Sequence, residues 1–138
     1  MIDLTLRPMA TTDEHYVLSS WLRSYAETHE ARCFFAGDLR AVFFQLYEPL
    51  VKAMLGRSSV TIACLPENED VVLGWLCTEG ETLHYVQVKP KFRGMGVAGK
   101  LLSGMEPLRI DYSHITKPAK VRLRFPTSWR YAPEKRFP

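Results

Sequence analysis

The sequence has no long hydrophobic run. None approaches the roughly 18 to 20 apolar residues that a membrane-spanning helix needs, and Met1–Thr5 does not begin a signal peptide. The chain of 138 residues is 46% hydrophobic, which suffices for one core but not for two. These features predict a single domain covering residues 1–138, located in the cytoplasm and without a membrane partner.

Cysteine is scarce. The three cysteines, Cys33, Cys64 and Cys77, are odd in number and lack the spacing of a metal site. His15 and His29 do not complete a ligand set with any residue near them. The sequence therefore predicts reduced, buried thiols and no metal.

Acidic residues are scarce in the C-terminal third. Residues 91–138 contain 11 Lys and Arg but 3 Asp and Glu, whereas residues 1–90 contain 7 and 12. The net charge of +3 therefore combines an acidic N-terminal part with a basic C-terminal part. A solvated basic strand would explain this asymmetry, and so would a site for a polyanion such as a phosphorylated cofactor or nucleic acid. The charge pattern leaves both interpretations open.

The basic part begins in a glycine-containing turn. Residues 86–102 run from an apolar strand pattern through this turn into a helix start that ends in two leucines. Gly94 and Gly96 let the backbone approach a ligand, and the first N–H groups of the helix face an anion there. Lys91 and Arg93 add positive charge. The pattern predicts a site for a pyrophosphate.

Two other phosphate-binding loops fit this turn poorly. A Walker loop needs Lys followed by Ser or Thr, but Lys100 is followed by Leu101. The dinucleotide fingerprint Gly-x-Gly-x-x-Gly is present at residues 94–99. However, other predicted strands precede it, and Asp111 is the one acid near the expected spacing.

The turn instead resembles the acyl-CoA-binding motif of the GNAT superfamily of N-acyltransferases. That motif is Arg or Gln, two residues, Gly, one residue, then Gly or Ala. In this sequence Val88-x-Pro90 precedes it and Leu101-Leu102 follows it. The resemblance implies acetyl-CoA as co-substrate. It also implies that the pyrophosphate binds the turn residues, which are Arg93, Gly94, Met95, Gly96, Val97 and Ala98.

The order of predicted elements agrees with this resemblance. Hydrophobic periodicity and turn signals predict an α+β domain with a mostly antiparallel central sheet flanked by helices. The first predicted elements are a strand at Asp3–Arg7, a helix at about 12–27 with a capping box of Thr11 and Glu14, and a loop at 28–37. A second helix starts at Asp38 and kinks or restarts at Pro49 before Gly56. Strands follow at Val60–Leu65, Val71–Thr78 and Leu83–Val88, with a turn at 66–70, and then a helix from Gly96 to Pro107 and a strand at Leu108–Ile115.

The resemblance implies that strands 4 and 5 splay apart and that the cofactor's pantetheine arm inserts between them. The backbone amides of Gln87 and Val88 would then bind that arm and polarise the acyl carbonyl. After Thr116 the sequence departs from the family, because it offers one predicted strand, Lys120–Phe125, and a Pro- and aromatic-rich tail at 126–138. Either the tail or a homodimer would complete the acceptor side.

Attack of an amine on a thioester needs a proton acceptor. Strand alternation places His84 on one face and Leu83 and Tyr85 on the other. His84 is the best-placed base, since its ordinary pKa is about 6.5, while a structural histidine is an equally open interpretation. Glu79 and Glu81 lie at the strand mouth and act through water or are simply solvated.

Departure of the thiolate calls for a proton donor. Tyr112 has an ordinary pKa near 10 and is the candidate acid, while His114 or Ser113 would position a water or the acceptor. If the strand alternates, Tyr112 and His114 share a face. Both residues also fit structural roles at a sheet edge. Tyr131 in the tail is a weaker candidate.

We expect an N-acetyltransferase that moves an acetyl group from acetyl-CoA to a primary amine by direct attack. The acceptor is left open among small molecules, protein lysines and modified nucleic acids. Phe34 and Phe35, in the predicted loop, are expected to face the acceptor pocket or a partner. The alternative is a non-catalytic GNAT-like module that binds CoA, a protein or nucleic acid.

Overall fold

The computed structural model describes residues 2–34, 40–105, 110–114 and 128–138. The α-helices and strands of these residues, in chain order, are β1 (Thr5–Pro8), α1 (Glu14–Ala26), α2 (His29–Phe34), α3 (Arg40–Gly56), β2 (Ser59–Leu65), β3 (Asn68–Glu79), β4 (Thr82–Val88), α4 (Val97–Leu102), β5 (Asp111–Tyr112) and β6 (Arg130–Tyr131). The predicted α+β class, with a central sheet flanked by helices, is confirmed.

The strands form one sheet in which spatial order follows chain order. β1 to β4 pair antiparallel with their neighbours. The predicted turn at 66–70 is too long, since Leu65 already pairs with Asn68. β5 pairs parallel to β4, and β6 pairs parallel to β5. The sheet is therefore mixed, with its antiparallel part first.

One face of the sheet is covered by α1 and α3. Helical spacing directs the apolar stripes of both helices into a shared core. The buried residues of the two helices are Val17, Trp21, Leu22, Tyr25, Phe43, Tyr47, Val51 and Met54. Cys64 and Cys77 are free, buried thiols on the sheet, as predicted for them, and burial raises the pKa of Cys77 to about 12.

α4 covers the opposite face of the sheet. Val97 and Leu101 of this helix are buried in a second apolar cluster. Gly74 on β3 makes the close packing possible, because a Cβ there would lie 2.5 Å from the Gln87 carbonyl oxygen and 3.3 Å from a Val97 methyl. The end of β4 and the start of α4 are thus held together beneath the predicted turn.

The predicted loop at 28–37 is wrong in its first part, which forms α2. Thr28 caps this helix: its Oγ1 accepts the Ala31 N–H at 3.1 Å and donates to the Tyr25 carbonyl at 2.7 Å. A Thr followed by helix-forming residues is the local signal that could have predicted α2.

Pro49 neither ends nor restarts α3, which continues through it. The missing N–H at proline costs a helical hydrogen bond. Phe43, Tyr47, Val51 and Met54 lie on the buried face on both sides of Pro49, and their packing stabilises the continuous helix.

The predicted capping box of Thr11 and Glu14 is displaced by one residue. Residues 11–13 form a 3-10 turn before α1, and Asp13 supplies the carboxylate. It accepts the Ala10 N–H at 2.8 Å and two guanidinium N–H groups of Arg7, at 2.7 and 3.1 Å. The Arg7 contact lowers the pKa of Asp13.

The C-terminal segment, residues 128–138, adds a strand that the sequence analysis does not predict. The Arg130 N–H donates to the Ile110 carbonyl and the Ala132 N–H donates to the Tyr112 carbonyl, both at 2.8 Å. β6 therefore extends the sheet beyond β5. Some predicted features lie outside the described residues: the side chains of Cys33 and Phe34, residues Phe35 and Asp38, the start of the strand Leu108–Ile115 and all of Lys120–Phe125.

Candidate active site

β4 and β5 part soon after they meet. They pair at Thr82 with Asp111 and at Leu83 with Tyr112. Just after this pairing, the Ser113 N–H donates to the Leu83 carbonyl at 3.0 Å. β4 continues to Val88, and none of the described residues pairs with that part of its edge. This opening is the predicted splay between strands 4 and 5.

A β-bulge in β4 lies at the apex of this opening. Cys77 and Thr78 of β3 pair with Tyr85 and Leu83, so His84 is an extra residue without a partner. The predicted alternation is therefore wrong here. Leu83 packs into the cluster under α4, whereas Tyr85 packs into the core under α1.

The ladder also fixes which backbone groups face the opening. The Lys89 N–H donates to the Leu73 carbonyl of β3 at 2.9 Å. Because N–H directions alternate along a strand, the Gln87 N–H points to β3, while those of Val86 and Val88 point to the open edge. The prediction for Val88 agrees with this direction. The Gln87 N–H does not face the opening, and the second N–H on the open edge is that of Val86.

The turn after β4 is held open by two glycines. Gly94 and Gly96 have φ of +78° and +84°, a region that residues with a Cβ rarely adopt. Arg93 and Met95 are exposed, and the Arg93 Nε donates to the Val88 carbonyl at 3.3 Å. Buried Val97 fixes the start of α4, whose first N–H groups have no helical carbonyl before them. The site thus offers backbone donors and positive charge to an anion.

Side chains form a continuous hydrogen-bonded series across the apex, here called the buried network. Its contacts in order are Tyr47 Oη to His114 Nε2 at 2.6 Å, His114 Nδ1 to Ser113 Oγ at 2.7 Å, Ser113 Oγ to His84 Nδ1 at 2.7 Å, His84 Nε2 to Glu79 Oε1 at 2.8 Å and Arg57 Nε to Glu79 Oε1 at 2.9 Å. Three elements, α3, β3 and β4, contribute to it, together with Arg57 just after α3 and the two residues just after β5.

Donor and acceptor rules give the buried network one consistent direction. The Glu79 carboxylate only accepts, so His84 donates from Nε2, and in a neutral ring its Nδ1 then accepts the Ser113 hydroxyl. Ser113 Oγ then accepts the Nδ1–H of His114, and His114 Nε2 accepts the phenolic proton of Tyr47. Both imidazoles are neutral in this arrangement.

The electrostatics agree with neutral histidines. Burial lowers the pKa of His84, partly offset by Glu79, and burial lowers the pKa of His114 well below its ordinary range. The hydrogen bond from His84 lowers the pKa of Glu79, with Arg57 acting in the same direction. Burial raises the pKa of Tyr47. At rest, therefore, each imidazole carries a single proton and the Glu79 carboxylate carries none.

The C-terminal segment supports the buried network from one side. The Arg136 Nε donates to the Ser113 carbonyl at 2.9 Å, and its guanidinium forms a buried ion pair with Glu30 of α2. Glu30 also accepts hydrogen bonds from Tyr25, at 2.6 Å, and from Tyr131. Residues far apart in sequence thus hold Ser113 in place.

No protein-family model matches the sequence, and no curated protein matches it significantly. Solved structures match its fold. They include YjaB from Escherichia coli (TM-score 0.54, 20% identity), a GCN5-related N-acetyltransferase from Rhodopseudomonas palustris (0.55, 18%) and a protein described as histone acetyltransferase HPA2 and related acetyltransferase from Corynebacterium glutamicum (0.54, 16%). The matches cover 75%, 76% and 75% of this chain.

The chain has the GNAT fold. It covers 65%, 64% and 70% of those three chains, so it spans just under two thirds of the first two. The predicted resemblance is confirmed at the level of fold, including the splayed strands.

The GNAT fold brings two of the three predicted catalytic side chains together. His84 and His114 both bond to Ser113, and both are buried with each ring nitrogen engaged. Tyr112 lies elsewhere: it packs against the cluster under α4, and its ring centroid is 5.7 Å from that of Tyr131. The prediction that Tyr112 and His114 share a face is wrong, because β5 ends at Tyr112 and alternation does not extend past it.

Sequence reasoning missed Tyr47, Glu30 and Arg136. Each lies in a different part of the chain, and no local spacing links them to the two histidines. The polar run at 111–114 is the signal that did find part of the site. Tyr131 donates directly to Glu30, and Arg136 and Ala132 in the same segment are buried.

Within the described parts of the chain, no group of three His, Cys, Asp or Glu residues could hold a metal ion. No helix in those parts is both long and apolar enough to span a membrane.

Proposed function

We propose that the protein transfers the acetyl group of acetyl-CoA to a primary amine by direct attack. The observation that carries this proposal is the exposed, basic glycine turn at residues 93–98, which follows directly on the open edge of β4. The fold supports it, because solved proteins named as acetyltransferases share this arrangement of strands and helices.

The cofactor would bind mainly through the backbone. The N–H groups of the turn and of the first residues of α4, with the Arg93 guanidinium, would hold the pyrophosphate. The Val86 and Val88 N–H groups at the open edge would bind the pantetheine arm and polarise the acyl carbonyl. None of these backbone donors needs a particular side chain, which fits a loop whose glycines keep the approach clear.

The chemistry would take place at the apex of the opening, beside His84 and His114. The amine attacks the thioester carbon, its proton leaves toward the buried network, and the C–S bond breaks. Tyr112, on the strand that borders the opening, is the proposed acid for the thiolate. The acceptor is a small molecule, a protein lysine or a modified nucleic acid.

Thermal unfolding with acetyl-CoA, CoA and ATP tests the donor. Ligand at about 100 times its Kd stabilises a protein by about 2.7 kcal/mol, so both CoA species should raise Tm clearly and ATP should do so less. Stabilisation by neither CoA species would contradict the proposal.

Acetyl transfer is then measured by mass spectrometry with polyamines, aminated nucleosides and lysine peptides. The product should be heavier by one acetyl group and should form more slowly with Tyr112→Phe. Binding of acetyl-CoA without transfer to any amine would favour the non-catalytic module.

A further inference from the structure

The residues before β1 contact the glycine turn from another part of the chain. The Ile2 N–H donates to the Met95 carbonyl at 3.3 Å. Among the described residues, no other backbone hydrogen bond joins the turn at 93–98 to a part of the chain outside β4, α4 and the residues between them. The turn is therefore tied to residue 2 through the carbonyl that lies between its two glycines.

Two half-buried side chains hold this N-terminal segment near the turn. Ile2 and Leu4 pack against the apolar cluster that contains the buried residues of α4, while Asp3 between them is exposed. Such alternation is typical of extended backbone, in which residues 2 and 4 share a face. Packing of these two side chains thus brings the Ile2 N–H to the Met95 carbonyl.

The peptide unit between Met95 and Gly96 has two possible orientations. In a trans peptide the carbonyl and the following N–H point in opposite directions, and the described residues contain no cis peptide. The helix fixes one side of Gly96, because the Gly96 carbonyl accepts the Lys100 N–H at 3.0 Å. It does not fix the N–H side, since Gly96 has φ of +84° but glycine adopts negative φ about as readily. The hydrogen bond from Ile2 selects one orientation.

We propose that Ile2 is a positioning residue whose N–H directs the Gly96 N–H at the pyrophosphate of acetyl-CoA. This role rests on the proposed acetyl-CoA site, and Ile2 itself does not touch the cofactor. Because the Met95 carbonyl points to Ile2, the Gly96 N–H points away from it. Ile2 precedes β1, and in the sheet β1 lies on the opposite side of β4 from the open edge. The Gly96 N–H is therefore directed to the side on which the cofactor enters.

Ile2→Pro tests this role, because proline has no backbone N–H to donate. The Kd for acetyl-CoA should rise about fivefold in calorimetric titrations, the effect of losing one neutral hydrogen bond. Ile2→Val keeps the N–H and most of the packing, and should bind acetyl-CoA with wild-type affinity. The wild type and all variants carry the same short N-terminal extension, so that residue 2 stays within a peptide bond.

Asp3→Pro is the matched control for the stiffness of proline. It places the same ring at the next residue, which is exposed and whose N–H has no hydrogen-bond partner among the described residues. Its affinity for acetyl-CoA should stay close to that of the wild type. An unchanged affinity in Ile2→Pro, or an equal loss in Asp3→Pro, would overturn the role of the Ile2 N–H.

The Gly96 amide gives a readout that a general loss of packing would not move. On saturation with acetyl-CoA, its ¹⁵N–¹H signal should shift less in Ile2→Pro than in the wild type, while the shifts of Val86 and Val88 stay the same. A Gly96 shift as large in Ile2→Pro as in the wild type would overturn the positioning role.

Binding by the wild type separates this inference from the proposed function. A wild type that binds acetyl-CoA, together with an Ile2→Pro variant of equal affinity, would contradict the role of Ile2 alone. A wild type that binds no acetyl-CoA would contradict the proposed function and, with it, this role of Ile2.

Discussion

The glycine turn after β4 and the buried network differ in what their specificity depends on. The turn is a contiguous run of six residues, 93–98, mostly exposed or half-buried, that acts through its backbone. The network joins side chains from residue 47 to residue 114, and most of them are buried. A contiguous backbone site is encoded locally, whereas a network of side chains exists only once the whole sheet and the C-terminal segment are assembled.

The largest expected effect concerns the support of the network. Arg136→Met removes the partner of Glu30, leaving a carboxylate buried without its counter-charge, and should lower the free energy of unfolding by about 3 to 5 kcal/mol in urea titrations. Arg130→Met, which breaks an exposed pair with Asp111, is the matched control and should change it far less. Equal losses in both variants would show that the C-terminal segment does not hold the network.

Acid should destabilise the network before it affects the turn. Both buried histidines have pKa values below the unfolded value of about 6.5, so below this pH the unfolded chain binds protons that the folded protein does not. Stability should therefore be full above pH 6.5 and fall below it, by up to about 1.4 kcal/mol per pH unit for each histidine.

Urea titrations between pH 7.5 and 5.5 measure this slope. His114→Gln should remove the contribution of one histidine to the dependence of stability on pH. His15→Gln, at an exposed position on α1, should leave that dependence unchanged. A wild-type stability that stays level over this range would contradict the neutral assignment of both rings.

A smaller effect should separate the turn from the network. Gly94→Val forces a β-branched residue into φ of +78° and should weaken acetyl-CoA binding at least about tenfold, close to 1.4 kcal/mol, in calorimetric titrations. Gly80→Val imposes similar strain at φ of +59° in the β3–β4 turn, again with no atom within 4 Å of its Cβ. The Gly80→Val variant should bind acetyl-CoA with wild-type affinity. If both variants lose affinity equally, backbone strain alone, and not the position of Gly94 in the site, explains the weaker binding.

The same contrast explains what could be predicted from the sequence. The order of strands and helices and the turn at 93–98 follow from local periodicity and glycine spacing. The bulge at His84 could not be predicted, because it depends on the register that β3 imposes on β4. It reverses the face of every β4 residue before it, which is why the alternation of Leu83 and Tyr85 was misassigned.

Long-range contacts account for the remaining errors. β6 is two residues long and forms only because β5 offers an open edge, so no strand pattern marks it. Tyr47 looks like one more core aromatic on α3 until His114 is placed 2.6 Å from its hydroxyl. The pairing of Glu30 with Arg136 spans most of the chain and leaves no local signature.

Titration of acetyl-CoA into the ¹⁵N-labelled protein tests the central claim most directly. The amide signals of Val86, Val88, Gly94 and Gly96 should shift in a saturable manner, while those around a separate open cavity, lined by residues that include Glu79, Glu81 and Asp111, should not. An unchanged spectrum, or shifts confined to that cavity, would contradict the assignment of the turn and the open edge of β4 to acetyl-CoA.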